Sequence, residues 1–431
     1  MFGWARTFGT VGWMIAVYGV PLSLVLFAPE GVAAAAKSAK PGNAICDIGD
    51  DDDDGDDDDD TSAAKQVQKR FLIEGACTEL SGELNIVGQK ILTQNGSVPA
   101  LITRRGSVSS PDREVVSGTL TMRVETARQT AAGALKTALE LKAQRDSSDD
   151  GGIVNLSEGS VTWSGWTAGY TDSLMNFWTG DDFQFLANAP NRTVGRVSFE
   201  ASATDDLKLS IATETGVSTV RGGVDQRFVP ITFEDPVASA RALYESDVLT
   251  LHLSGMMHEL KTGGGHPILI PLGLAAAVSK PGWAVTGGLT LPLDAIHEDD
   301  EFTVQATYAV NASAYLGTKA DLATLASLVP APVETRGWSA LGAYHHVWSE
   351  HWETNVFASR LHLEVDLPLG TPQADGIRYA GNLVWKPVED FKVGAELGYV
   401  DIKIVPGGPF TFFRGASGQA LVGYLFATWT F

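Results

Sequence analysis

From about residue 78 onward the chain alternates apolar and polar positions with a period of two, the signature of strands rather than helices. Between Glu301 and Asn311, Phe302, Val304, Ala306, Tyr308 and Val310 share one face, while Glu301, Thr303, Gln305, Thr307 and Asn311 share the other. Leu135, Leu139 and Leu141 likewise oppose Lys136, Glu140 and Lys142. Leu249, Leu251 and Leu253 oppose Thr250, His252 and Ser254, and Phe391, Val393, Ala395, Leu397 and Tyr399 oppose Lys392 and Glu396. The last stretch repeats the pattern: Leu421, Gly423, Leu425, Ala427, Trp429 and Phe431 alternate with Val422, Tyr424, Phe426, Thr428 and Thr430.

Alternation alone fits a soluble sandwich as well as a membrane barrel, so connection lengths decide. Stretches near 93–112, 172–193, 217–236, 261–281, 313–335, 365–375 and 403–417 are long, carry Gly, Pro and Ser, and lose the alternation. Between them lie short polar turns at Ala203–Asp206, Glu245–Asp247, Ser349–Glu350 and Lys386–Asp390. Long loops at one end and short turns at the other are the wiring of a transmembrane barrel. Strands start near 78, 114, 132, 153, 165, 194, 207, 237, 248, 282, 301, 336, 351, 376, 391 and 418, about sixteen in all. Hydrocarbon offers backbone groups no partners, so only a closed ladder satisfies them, and about sixteen strands leave a lumen wide enough for water. The expected fold is all-β: a transmembrane antiparallel barrel over 78–431, with long extracellular loops and short periplasmic turns.

Composition supports this. Mean hydropathy near zero excludes a helical bundle, and no apolar helical span follows the N-terminus. Arg6, the apolar run Val11 to Ala28 and the small residues Ala33 to Ala36 read as a secretory signal peptide over 1–36, with a retained helical anchor as the alternative. Residues 37–77 then form an N-terminal periplasmic segment with an Asp-rich run, Asp50 to Asp54 and Asp56 to Asp60. With Asp47, that run carries about half of the formal net charge of −21. An acidic chain argues against nucleic-acid partners. Asp50, Asp52, Asp54 and Gly55 have calcium-loop spacing, but Thr61 stands where a bidentate Glu is required, so the run reads as a solvated polyanion and no metal site is expected. Cys46 and Cys77 read as one disulfide or as two free thiols. Lys319 to Val329 looks helical within a loop.

The segment Gly159 to Trp178 resembles the strand pair and entry to the inward-folded third loop of the alphaproteobacterial porin family. Gly282-Trp283-Ala284-Val285, Gly337-Trp338-Ser339 and Asn382 to Phe391 continue the likeness, and two cysteines ahead of the first strand fit it. The resemblance implies a usually trimeric, sixteen-stranded outer-membrane channel for small hydrophilic solutes and ions, surrounded by outer-membrane lipid and narrowed by its third long loop folded into the lumen. The chain departs from the family where an Asp block separates the cysteines and where Glu79 and Glu83 replace basic residues. Trp429 and Phe431 resemble the terminal signal read by the barrel assembly machinery.

Within that frame, the third loop, roughly Tyr170 to Thr193, holds Asp172, Asp181 and Asp182 among Phe177, Trp178, Phe183 and Phe185. Arg123, Lys136 and Arg196 fall on polar faces that would oppose it as a basic cluster, with Glu79, Glu83, Glu125, Glu140, Glu200, Lys142 and Lys208 nearby. Opposed charge across a narrow waist orients dipolar solutes and sets ion preference; the alternative is plain solvation in a wide lumen. Trp163, Tyr344, Trp348, Trp352, Trp385, Tyr399 and Trp429 suit interfacial girdles. His345, His346 and His351 cluster, but no nucleophile motif or zinc-ligand spacing accompanies them. The expected function is passive diffusion without enzyme activity or cofactor. The rival expectation is a structural or adhesion barrel with a plugged lumen and an acidic arm that binds a partner or cations.

Overall fold

The computed structural model describes residues 69–73, 76–96, 114–147, 152–215, 236–262, 278–317, 334–366, 370–407 and 417–431. The expected signal peptide, Cys46, the run Asp50 to Asp60 and the stretch Lys319 to Val329 lie outside these residues. The described residues belong to one compact unit, Ile45–Phe431.

The strands are β1 (Lys69–Ile73), β2 (Ala76–Gly96), β3 (Glu114–Thr130), β4 (Gly133–Asp146), β5 (Ile153–Trp163), β6 (Trp166–Asp172), β7 (Thr193–Ser202), β8 (Leu207–Glu214), β9 (Val237–Ser246), β10 (Leu249–Thr262), β11 (Val278–Pro292), β12 (Glu301–Val310), β13 (Glu334–Ser349), β14 (Trp352–Asp366), β15 (Gln373–Val388), β16 (Phe391–Val405) and β17 (Ser417–Thr430). From β2 on, each pairs antiparallel with the next, and β17 returns to β2 with Gly418 opposite Gly96 and Thr430 opposite Glu83. That pairing closes a sixteen-stranded barrel without an edge. Each of its strands starts within four residues of the position given by the alternation. One two-residue reversal, Ser164-Gly165 between the paired Trp163 and Trp166, has positive φ at both residues, 49° and 80°, the twist such a hairpin requires.

One strand was not legible. β1 pairs only with the first residues of β2, Leu72 facing Cys77, in line with β17, which takes over as partner of β2 from Glu83. Cys77 is buried and disulfide-bonded.

The exposed face carries the apolar residues a lipid-facing wall requires, such as Leu251, Leu253, Val356, Leu383, Leu397 and Leu425. Aromatic residues ring its two ends. Toward the short turns lie Trp163, Trp348, Trp352, Trp385 and Trp429, with Trp352 stacked on Trp385. Toward the long loops Trp283 meets Tyr308, and Tyr379 stacks on Tyr399. Tyr344 faces outward too, and its hydroxyl donates to Asp300 in the β11–β12 turn.

The inner face departs from the expected polar lining. On β17 the inward residues Val422, Tyr424 and Phe426 are apolar or aromatic and buried, and they join Leu341, Phe357, Val384 and Val400 in one core. This part of the wall is apolar on both faces because one face meets lipid and the other packs against chain inside the barrel.

Candidate channel constriction

That inner packing comes from residues 173–192, the third connection at the long-loop end, joining β6 to β7. Its limbs are tied at the base: the Ser173 amide donates to the Arg192 carbonyl at 2.9 Å, and Asn176 bonds the Arg192 backbone in both directions at 3.0 Å. From there the loop follows the inner wall. Glu214 on β8, 1% exposed, accepts the Leu174 amide at 2.8 Å and the hydroxyls of Ser173 and Ser239. Gln305 on β12 accepts the Trp178 amide, and Asn382 on β15 donates to the Asp182 carbonyl at 2.7 Å. Glu396 on β16, 2% exposed, accepts the amides of Gln184 and Phe185 at 2.9 and 2.7 Å. Arg378 donates to the Leu186 carbonyl, and Ser359 accepts the Asn188 amide. Bonds from N–H groups to buried carboxylates are charge-assisted and contribute about 1.5–3 kcal/mol each.

Aromatic side chains of the loop fit gaps left by wall glycines. A Cβ at Gly398 would lie 2.5 Å from the Phe185 ring, and one at Gly288 would lie 2.2 Å from that of Phe177. Phe183 meets Phe357 edge-on at 4.8 Å, and Trp178 packs on both. Leu174, Met175, Phe183 and Phe185 are buried, and each such side chain contributes roughly 1.5–3 kcal/mol. A short 3-10 turn, Ser313–Leu316, supports the loop; Gly317 behind it lies so close to Asn188 and Ala189 that a side chain would collide with their backbone.

The loop thus covers the inner face of β10 to β17, whose inward groups are mostly uncharged. The remaining arc, β2 to β9, carries the charge. Arg123 bonds Glu125 at 2.7 Å, Glu158 at 2.5 Å and Glu140 at 3.3 Å, and Lys142 bonds Glu140 at 3.0 Å. Farther round, Arg241 pairs with Glu200 at 2.9 Å and Lys208 with Glu245 at 3.0 Å. Asp172 lies within electrostatic reach of Glu158, Asp181, Arg196 and Lys142, and Arg196 donates to the Asp172 carbonyl. Asp181 and Asp182 are exposed on the loop, Asp181 accepting from Thr179.

The three acids singled out from sequence therefore fall on or beside the loop. The three bases do not form one cluster: Arg123 is enclosed by carboxylates, Arg196 sits at the loop base, and Lys136 lies near the short-turn end opposite Ala127 and Thr162. They stand on different strands at different heights, which alternation does not encode. Glu214, Glu396, Glu158 and the glycine gaps were missed. One local signal exists: on its own face Glu396 is flanked by Gly394 and Gly398, leaving room around an inward carboxylate.

The barrel fold is shared with solved outer-membrane proteins. The outer-membrane channel DcaP of Acinetobacter baumannii superposes with a TM-score of 0.63 at 14% identity, covering 84% of this chain and 99% of that one. A loop L8 deletion mutant of OmpT, an outer membrane protein of Vibrio cholerae, gives 0.50 at 10% identity over 83% of this chain and all of that one. An anion-selective porin from Comamonas acidovorans gives 0.47 at 10% identity, over 83% of this chain and all of that one. No curated protein sequence matches the chain. Residues 103–407 match the model of the porin subfamily, so this chain, a closed sixteen-stranded barrel with a loop bonded across its interior, belongs to that family of channel proteins.

Proposed function

We propose that the chain forms a passive diffusion channel in the outer membrane for small hydrophilic solutes and ions, its waist set by the loop 173–192. The observation that carries this reading is the division of the inner wall: the loop packs on the arc from β10 to β17 and leaves the charged arc from β2 to β9 facing the passage. Glu125 and Lys142, both about half exposed, are accessible to solutes there. Ten acids (Glu79, Glu83, Glu125, Glu140, Glu158, Asp172, Asp181, Asp182, Glu200 and Glu245) stand against six bases (Arg123, Lys136, Lys142, Arg196, Lys208 and Arg241), which favours cations. The proposed kinship with the alphaproteobacterial branch rests on the segments Gly159 to Trp178, Gly282 to Val285, Gly337 to Ser339 and Asn382 to Phe391, with the two cysteines ahead of the first strand.

Assembly as a homotrimer is part of the proposal. β6 has 7 residues and β8 has 8, fewer than the roughly 9–11 a tilted strand needs to cross a bilayer. β13 and β15 have 16 each. A wall too short for lipid on one side is suited to contact with a second copy. Planar-bilayer conductance tests the channel, and cross-linking in detergent tests the trimer.

A further inference from the structure

We propose that Arg123 positions a carboxylate track that conducts cations, including organic ammonium ions, between the waist and the short-turn mouth. The proposal rests on the channel reading above. One guanidinium gathers Glu125 on β3, Glu140 on β4 and Glu158 on β5, three carboxylates from three adjacent strands. The other oxygens of Glu140 and Glu158 are held in turn. Ser157, the extra residue of a bulge in β5, donates to Glu140 at 2.7 Å, and Thr171 on β6 donates to Glu158 at 3.3 Å. Toward the loop the row continues through Asp172 to Asp181. Toward the short-turn end it continues to Glu79 on β2, the register partner of Glu125. Asp181, Asp172, Glu158, Glu140, Glu125 and Glu79 thus step across five strands from the loop to the mouth.

The bases on this path are Arg196, Arg123, Lys142 and Lys136; Arg196 donates to the Asp172 carbonyl and lies within electrostatic reach of Glu214, Asp172 and Glu200. Arg123 and Lys142 are both engaged by carboxylates, while Lys136 lies aside near the turn. An anionic solute therefore meets bases that are already neutralised, whereas a cation meets a net excess of carboxylate. A guanidinium offers five N–H donors in a fixed fork, so it can hold several carboxylates at one place where a bare row would splay. Without it, Glu125, Glu140 and Glu158 repel one another and splay. Glu79, Lys136, Lys142 and Asp172 are the other titratable groups facing them.

The test uses the full chain in a planar bilayer, with gradients of potassium chloride and of methylammonium chloride. The triple variant Glu125→Gln, Glu140→Gln, Glu158→Gln is expected to lower the cation-to-anion permeability ratio by about twofold for both salts. Glu125→Gln alone, on a half-exposed side chain, is expected to shift it in the same direction and guards against misfolding of the triple variant. Arg123→Lys separates positioning from charge counting. Counting predicts an unchanged ratio, whereas the proposal predicts a lower cation-to-anion ratio, because an ammonium lacks the planar fork that holds three carboxylates. An unchanged ratio in the glutamine variants, or an Arg123→Lys variant that matches the wild type, overturns the track and leaves the channel reading standing. A wild-type chain that inserts and passes no current overturns both.

Discussion

Glu214 and Glu396 stand eight strands apart in a ring of sixteen, diametrically opposite, and both buried carboxylates accept backbone amides from the same loop. Glu214 holds the start of the loop and Glu396 its middle, so residues 173–192 are fixed to both sides of the barrel.

Loss of either carboxylate should therefore loosen the loop without opening the barrel. Glu396→Gln leaves an amide group against two N–H donors, at a cost of about 1–3 kcal/mol for each unmet bond. The expected outcome is noisier single-channel current with new subconductance levels, while the heat-resistant mobility of the barrel on gels stays. A steady current identical to the wild type would show that the loop is held by its aromatic side chains alone.

Those side chains give a second expectation. Gly398→Leu places a side chain where the Phe185 ring lies, whereas Gly342→Leu enters open space on the outer face. The first variant should alter conductance and the second should not, although both carry the same substitution in the barrel wall.

How far the sequence carried the structure follows from the range of each interaction. Period-two alternation and turn length are local, and they placed every strand of the barrel, including the short β6 and β8. The course of the loop is not local: Phe185 meets Glu396, 211 positions away. Alternation also cannot say which face is inward when both are apolar, so Tyr424 and Phe426 were indistinguishable from Leu425 until their neighbours were known. Arg123 was recognised as a lumen charge, but its three partners lie on three strands whose register the sequence does not state. β1 carries no sustained alternation and went unread.

A third expectation concerns the β11–β12 turn. Burial alone would raise the Asp300 carboxyl, but the Val347 amide, His346 and the Tyr344 hydroxyl hold it down at about 2, below its ordinary 3.8. A depressed folded-state value means the stabilisation is present above about pH 4 and is lost as pH falls from there toward 2. Hydrogen exchange in the turn should accelerate over that window, and Asp300→Asn should remove the pH dependence. Exchange in the wild type that is flat from pH 5 to 2 would contradict it.

A fourth concerns the seam between β17 and β2. Phe431 exchanges backbone bonds with Gly82 at 2.8 and 2.9 Å, its ring covers Gly82, and it packs on Trp429 at 5.1 Å. Phe431→Ser removes that cover and, on the proposal that Trp429 and Phe431 guide assembly, should lower the amount of folded barrel in the membrane far more than Asp205→Ser in an exposed turn. Equal yields would remove Phe431 from that role.

The most direct test of the channel reading is the reversal potential of the purified protein in a planar bilayer under a potassium chloride gradient, before and after Asp181→Asn with Asp182→Asn. At ordinary ionic strength charges act over about 8–10 Å, so acids on the loop count more than acids in a wide mouth. The account predicts stepwise channels with a mild cation preference that moves toward anions in the double variant. A membrane that stays silent, or a wild type that prefers anions and is indifferent to both substitutions, would contradict it.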